Sequence, residues 1–211
     1  MVIGVELTIS GKIDSARPLL LVSNHVSYLD IPILASSAPI CFTPKSDISG
    51  WPVIGTIAKL SGSVFIDRRP DKMVEMKQAI HTALVANRIV LLFPEATTGN
   101  GVHMEPFKSG FFSLAEEEIN GQPLTVQPAC IAYTHVCGLP ITTAEWPHVA
   151  WYSDMVLAPH AWELLKLGPI RAELTFLPPV TLPSLGDRKK LSSYCQSVIR
   201  KQLDQAHEVE A

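Results

Sequence analysis

The chain has 211 residues, of which 47% are hydrophobic and 18% charged, with a formal net charge of −3. This suits one domain over residues 1–211 with a substantial core, and it is too apolar for a disordered protein. The acidic balance supplies no basic field for nucleic acid, and Cys41, Cys130, Cys137 and Cys195, which form no CxxC pair, read as reduced buried thiols rather than a zinc site.

The opening run "MVIGVELTIS" alternates in the manner of a strand, predicted over 3–9, and carries no basic leader. No window reaches the roughly 18 uninterrupted apolar residues of a membrane span, which leaves peripheral attachment as the membrane option. A strand over 18–23 then runs directly into "SNHVSYLD", with a helix predicted over 28–37. A strand over 39–43, a helix over 50–60 and a strand over 63–67 follow. The helix predicted over 71–87 is the clearest, with Asp71 as its cap and Met73, Met76, Ile80 and Leu84 at helical spacing. Beyond it come strands at 88–93, 125–133 and 170–177, and helices at 109–119, 158–167 and 187–206. Short continuous apolar runs such as "IVLLF" suit strands buried on both faces. The alternation predicts an α/β fold, a mostly parallel or mixed central sheet of about seven strands flanked by helices. Ligand sites in such sheets gather at the carboxyl ends of the strands.

Three polar clusters fall at predicted strand ends. The first holds Asn24, His25 and Asp30. Histidine exchanges protons near neutral pH, and a carboxylate on its far ring nitrogen fixes the tautomer. Five residues at about 100° each would put His25 and Asp30 roughly 140° apart on a continuous helix. The pair therefore requires His25 in a loop and Asp30 in the first helical turn. Asp30 as a helix cap, or Ser27 and Asp30 as a capping box, reads the same residues structurally. The second cluster is "IDRRP", where Arg68 and Arg69 offer a fork for phosphate or carboxylate, or a surface pair with Asp67. The third is "LLFPEATTGNG". Glu95 follows five apolar residues and so needs a partner. Thr97, Thr98 and the Gly-Asn-Gly turn offer hydroxyl and backbone donors, without the pattern of a P-loop.

Taken in order, these clusters resemble the glycerolipid acyltransferase family, in particular 1-acylglycerol-3-phosphate O-acyltransferases. The first family motif, Asn-His, four residues, Asp, resembles Asn24 to Asp30. The second resembles Gly62 to Arg68, the third Phe93 to Thr98, and the fourth Val126 to Ala132. The resemblance covers roughly residues 15–135. It implies a glycerol-3-phosphate-acyltransferase-like fold and transfer of an acyl group from a thioester, acyl-CoA or acyl-ACP, to a lipid hydroxyl. His25 would be the general base, oriented by Asp30, and no metal or further cofactor is implied. Arg68 would bind the acceptor's phosphate, while Glu95 would fix its glycerol or position Arg68. Asn24, Lys45, Thr97, Thr98, Arg69 and Lys108 are further substrate contacts.

The implied acceptor is a lysophospholipid such as 1-acylglycerol-3-phosphate. The C-terminal third is similar to bacterial members that acylate lyso-ornithine lipid, which is the alternative. A non-catalytic lipid-binding protein on the same scaffold is a reading from another class. The implied location is peripheral, on the cytoplasmic face of the bacterial inner membrane. Trp51, Ile54, Ile57 and Leu60 in one segment, and Trp162, Leu164, Leu165 and Leu167 in another, suit either a membrane interface or core packing. The third motif departs from the family's Pro-Glu-Gly by carrying Ala96. If that position needs a positive φ, alanine costs about 1 kcal/mol.

Overall fold

The computed structural model describes residues 4–44, 63 and 72–208. The expected helix 50–60, Asp71, and Lys45, Arg68 and Arg69 lie outside the described residues, as does the expected strand 63–67 apart from residue 63.

Ten strands form among the described residues. β1 (Val5–Ser10), β2 (Leu19–Ser23), β3 (Ile40–Cys41), β4 (Ile89–Leu92), β7 (Thr125–Val136) and β9 (Ile170–Phe176) make the main sheet in the order β1-β9-β7-β2-β4-β3. The two-residue strands β8 (Leu139–Pro140) and β10 (Val180–Thr181) pair with β7. β5 (Glu118–Ile119) and β6 (Gln122–Pro123) form a separate hairpin. Strands β3, β4, β2 and β7 run parallel; β9 runs against β7, and β1 runs with β9. The sheet is therefore mixed around a parallel block of four, and the carboxyl ends of β2 and β4 share one edge.

Both faces of that block are covered. Leu19 and Leu21 point into one core with Leu34, Leu91, Ile131, Tyr133, Trp146 and Leu164. Leu20 and Val22 point into the other with Ile80, Leu84, Leu92, Phe112, Cys195 and Ile199. The first core lies under α1 (Asp30–Ala35), α3 (Trp146–Val149) and α4 (Leu157–Leu167). The second lies under α2 (Met73–Val85), a 3-10 helix at Ser109–Glu116 and α6 (Arg188–Glu208). One further short helix, α5 (Leu182–Leu185), precedes α6. This two-sided burial is why β2 and β4 read as unbroken apolar runs, whereas β9, with one core-facing side, alternates.

The expected helix at 109–119 is instead a 3-10 helix that gives way to β5. Phe111 and Leu114, like Phe112 and Ala115, are buried three residues apart, as three residues per turn require. Asn120 and Gly121, at φ 55 and 72, then reverse the chain into β6, a two-residue hairpin turn. A second such turn, Cys137 and Gly138 at φ 53 and 80, joins β7 to β8. Cys137 is thereby exposed, unlike the other three cysteines, because a turn tip offers no core to enter. α4 resolves its two readings residue by residue: Leu164 is fully buried, while Trp162 is 61% exposed.

Candidate active site

His25 and Asp30 meet through the turn their spacing requires. Residues 24–27 form a loop off the end of β2, and Asp30 is the first residue of α1. His25 Nδ1 lies 2.7 Å from Asp30 Oδ2. That oxygen also accepts the backbone N–H groups of Val26 at 2.8 Å and Ser27 at 3.1 Å. Asp30 is fully buried, and the N–H of Leu29, not that of Asp30, reaches the Ser27 hydroxyl. Half of a capping box thus forms around a carboxylate whose main partner is the imidazole. An oxygen that already accepts two backbone N–H groups pairs with Nδ1 as a donor, which leaves Nε2 as the ring's other nitrogen. Among the described residues nothing bonds to Nε2, and the side chain keeps 15% of its surface exposed.

Phe93, at the end of β4, stacks on the imidazole with ring centres 3.9 Å apart and planes 9° apart. The next two residues begin the third cluster. Glu95 is buried; its Oε1 accepts the backbone N–H of His25 and its Oε2 that of Glu105, both at 2.8 Å. Burial pushes its carboxyl up to about 8, against these two donors; the charges of Asp30 and Glu105 add to the rise. The N–H of Gly99 returns to the carbonyl of His25 at 2.8 Å. The loops after β2 and β4 are therefore tied together on both sides of the histidine's backbone.

Asn24 is buried, and its side chain is committed to β7. Its amide donates to the carbonyl of Ile131 at 2.8 Å and accepts that residue's N–H at 2.9 Å, a side-chain rung extending the β2–β7 ladder. Ala96 has φ 64, the left-handed conformation that glycine would adopt freely. Thr97 is exposed and Thr98 half-buried beside it. Lys108 is exposed at the head of the 3-10 helix, its N–H on the carbonyl of Pro94. The structure brings His25, Asp30 and Glu95 together; the Asn24 side chain binds β7, and the Lys108 side chain makes no hydrogen bond or ion pair among the described residues.

Asn100 accepts the N–H groups of Val102 and His103, and Gly101, at φ 85, lies against Trp146. A small cleft over His25 is walled by Glu95, Gly99, His103, Met104 and Leu203. It shares Gly101 with a cavity of about 400 Å³ lined by Thr134, Thr142, Thr143, Trp146 and His207. Helix α6 closes this side: Arg200 donates to the carbonyl of Met104, and Gln196 accepts the N–H of Phe107. On the other flank, Tyr28 donates to His160 of α4 at 3.1 Å, and Trp151 N–H meets the Val26 carbonyl. Burial raises the Tyr28 hydroxyl to about 12; it donates because His160 Nε2 faces the carbonyl of Pro147 at 3.2 Å, which leaves Nδ1 to accept.

Sequence reasoning passed over Tyr133. Its hydroxyl, at the centre of the sheet, donates to Asp30 Oδ1 at 2.6 Å. No local pattern marks it, since the two residues stand 103 positions apart. Among the described residues, no group of three or more His, Cys, Asp or Glu side chains is placed to hold a metal ion.

The site is a histidine bound to a carboxylate at the carboxyl ends of a parallel block of strands, the place where ligand sites gather in α/β sheets. Comparison with known proteins names the family. The model of the family described as Acyltransferase matches residues 4–132. The chain is 34% identical to the lyso-ornithine lipid O-acyltransferase of Rhizobium meliloti, over 96% of this chain and 71% of that one. It is 36% identical to the protein of the same name from Brucella abortus, over 96% and 78%. It is 37% identical to the 1-acyl-sn-glycerol-3-phosphate acyltransferase of Neisseria meningitidis, over 94% and 74%. The fold matches the crystal structure of the 1-acyl-sn-glycerophosphate (LPA) acyltransferase PlsC from Thermotoga maritima, with a TM-score of 0.65 and 18% identity, over 96% of this chain and 72% of that one. This chain belongs to the acyltransferase family.

Proposed function

We propose that this enzyme transfers an acyl group from an acyl thioester to the hydroxyl of a lysolipid, with His25 as general base. The observation that carries the reading is the 2.7 Å contact from His25 Nδ1 to Asp30 Oδ2, with Nε2 left toward the cleft. Nε2 removes the proton of the acceptor hydroxyl as its oxygen attacks the thioester carbonyl. Asp30 steadies the imidazolium that results. The tetrahedral intermediate collapses, the C–S bond breaks, and the imidazolium returns its proton to the departing thiolate. Base catalysis of this kind contributes about 10²- to 10⁴-fold. The N–H groups of His25, Val26, Ser27 and Gly99 already have protein partners, so donors to the oxyanion come from elsewhere in the site.

The acceptor is of one of two kinds. Relatives named for each span nearly the whole chain at similar identity. A glycerol phosphate would call on Arg68 and Arg69, with Lys45 and Lys108 as further cations. A lyso-ornithine lipid carries its own charges and needs less of that fork. The donor is acyl-CoA or acyl-ACP, and the site of action is the lipid surface, taken as the cytoplasmic face of the inner membrane. The exposed Val156 and Trp162 on and beside α4 support contact with lipid. Among the described residues no helix is long and apolar enough to cross a membrane.

The test supplies labelled acyl-CoA or acyl-ACP with lyso-ornithine lipid and with 1-acylglycerol-3-phosphate in separate reactions. Labelled diacyl product from one acceptor identifies it. Thioester loss without acylated lipid would contradict transfer and point to hydrolysis.

A further inference from the structure

The two oxygens of Asp30 face different ways. Oδ2 serves the loop, holding His25 Nδ1 and the N–H groups of Val26 and Ser27. Oδ1 points back into the sheet, where its donor among the described residues is the Tyr133 hydroxyl at 2.6 Å. Tyr133 is fully buried. Burial and the charge of Asp30 hold its phenol well above the ordinary value, so the proton stays on Tyr133 and the carboxylate accepts it.

Tyr133 is itself pinned. Asn24 binds both backbone groups of Ile131, two residues earlier on the same face of β7. His207 of α6 donates to the carbonyl of Tyr133 at 3.2 Å, and a register irregularity in the β7–β9 pairing follows between Tyr133 and His135. The strand is thus fixed on both sides of the phenol. The same Asn24 precedes His25 in the chain, so one residue sets the loop and the strand against each other. A buried tyrosine needs some acceptor, and a carbonyl would serve; here the acceptor is the carboxylate that touches the imidazole.

We propose that Tyr133 is a positioning residue for acyl transfer: its hydroxyl fixes the rotation of the Asp30 carboxylate, and so keeps Nδ1 of His25 on Oδ2 and Nε2 toward the cleft. This rests on the reading of His25 and Asp30 as base and orienting carboxylate. Without the hydroxyl, Oδ1 is a buried acceptor with no donor, and the carboxylate turns to find one. A hydrogen bond to a charged group of this kind corresponds to about a 10- to 100-fold change in rate.

The experiment measures steady-state transfer from a labelled acyl thioester to the accepted lysolipid for Tyr133→Phe, Asp30→Asn, the double variant and His25→Ala. Tyr133→Phe is expected to lower kcat about 10- to 100-fold with both KM values within about twofold. In the Asp30→Asn background the same change is expected to lower kcat less than about threefold, because the path through the carboxylate is already lost. In Tyr133→Phe the downfield proton resonance of the ¹⁵N-labelled His25 Nδ1–H is expected to move or broaden. Wild-type kcat in Tyr133→Phe, with His25→Ala and Asp30→Asn both strongly slowed, overturns this inference alone. An equal loss in both backgrounds overturns it too, since Tyr133 would then act on the fold. Full transfer by His25→Ala overturns the base assignment beneath it. If Tyr133→Phe does not fold, 3-fluorotyrosine at position 133 keeps the ring and the bond but acidifies the phenol. It is expected to change kcat at least about twofold at constant KM, and an unchanged kcat overturns the proposal.

Discussion

Glu95 Oε1 accepts the backbone N–H of His25 at 2.8 Å, so the carboxyl group after β4 holds the histidine after β2 by its main chain. Its other oxygen holds Glu105, at the far end of the loop that walls the cleft. Glu95 thereby ties the loop after β2 to the loop after β4.

Replacing Glu95 with Ala leaves the part-buried N–H groups of His25 and Glu105 without this acceptor. The expected loss is about 1–3 kcal/mol for each, read by urea or thermal unfolding. Transfer by the folded fraction is expected to fall mainly in kcat, since the loop that aims His25 loosens. The pH response adds a second reading. The native carboxyl titrates near 8, above its ordinary value of 4.5, so between those limits the native state holds a proton that the unfolded chain has released. Its stabilising contribution is present in full below about 4.5 and is lost as pH rises through about 8. Relative to Glu95→Gln, the wild type is expected to lose up to about 1.4 kcal/mol of stability per pH unit in that window. Equal slopes would remove Glu95 from the pH response.

Ala96 sits at φ 64. Ala96→Gly relieves the contact of Cβ with the backbone and is expected to stabilise the protein by about 1 kcal/mol, a rise in Tm of about 2–4 °C. Activity is expected to stay within about twofold, because no side-chain contact to His25 is removed.

Gly101 is the opposite case. At φ 85 a Cβ would lie 2.0 Å from Cε3 of Trp146, inside the ring. Gly101→Ala is expected to cost at least about 2–3 kcal/mol from strain and overpacking together. Because Gly101 lines both the cleft and the larger cavity, transfer should fall as well. Thermal unfolding beside a rate measurement separates the two effects.

Phe93 stacks on His25, and this contact is worth about 1 kcal/mol beyond burial. Phe93→Leu keeps an apolar filler but frees the imidazole face. Its expected signature is a fall of about 5- to 10-fold in kcat with KM unchanged.

The features legible in the sequence are the local ones. Continuous apolar runs marked β2 and β4 because both of their faces are covered, and alternation marked β1 at the sheet's edge. The phase argument separated His25 from Asp30 because helical periodicity alone forbids them a shared face. Asn24 read as a ligand contact because it adjoins His25, yet its partner Ile131 is 107 residues away. Tyr133 was invisible for the same reason. Helix boundaries failed at 117–121 although Asn120-Gly121 carried a hairpin signal. The single-turn helices at Trp146–Val149 and Leu182–Leu185 are too short for periodicity to register.

The central claim is that His25, oriented by Asp30, removes the proton of the acceptor hydroxyl. The most direct measurement is the single-turnover rate of acyl transfer from labelled thioester to lysolipid by wild-type protein and by His25→Ala, with thermal unfolding to confirm that the variant is folded. The account predicts a folded variant whose rate is lower by about 10²-fold or more. A folded His25→Ala variant that transfers acyl groups at the wild-type rate would contradict it.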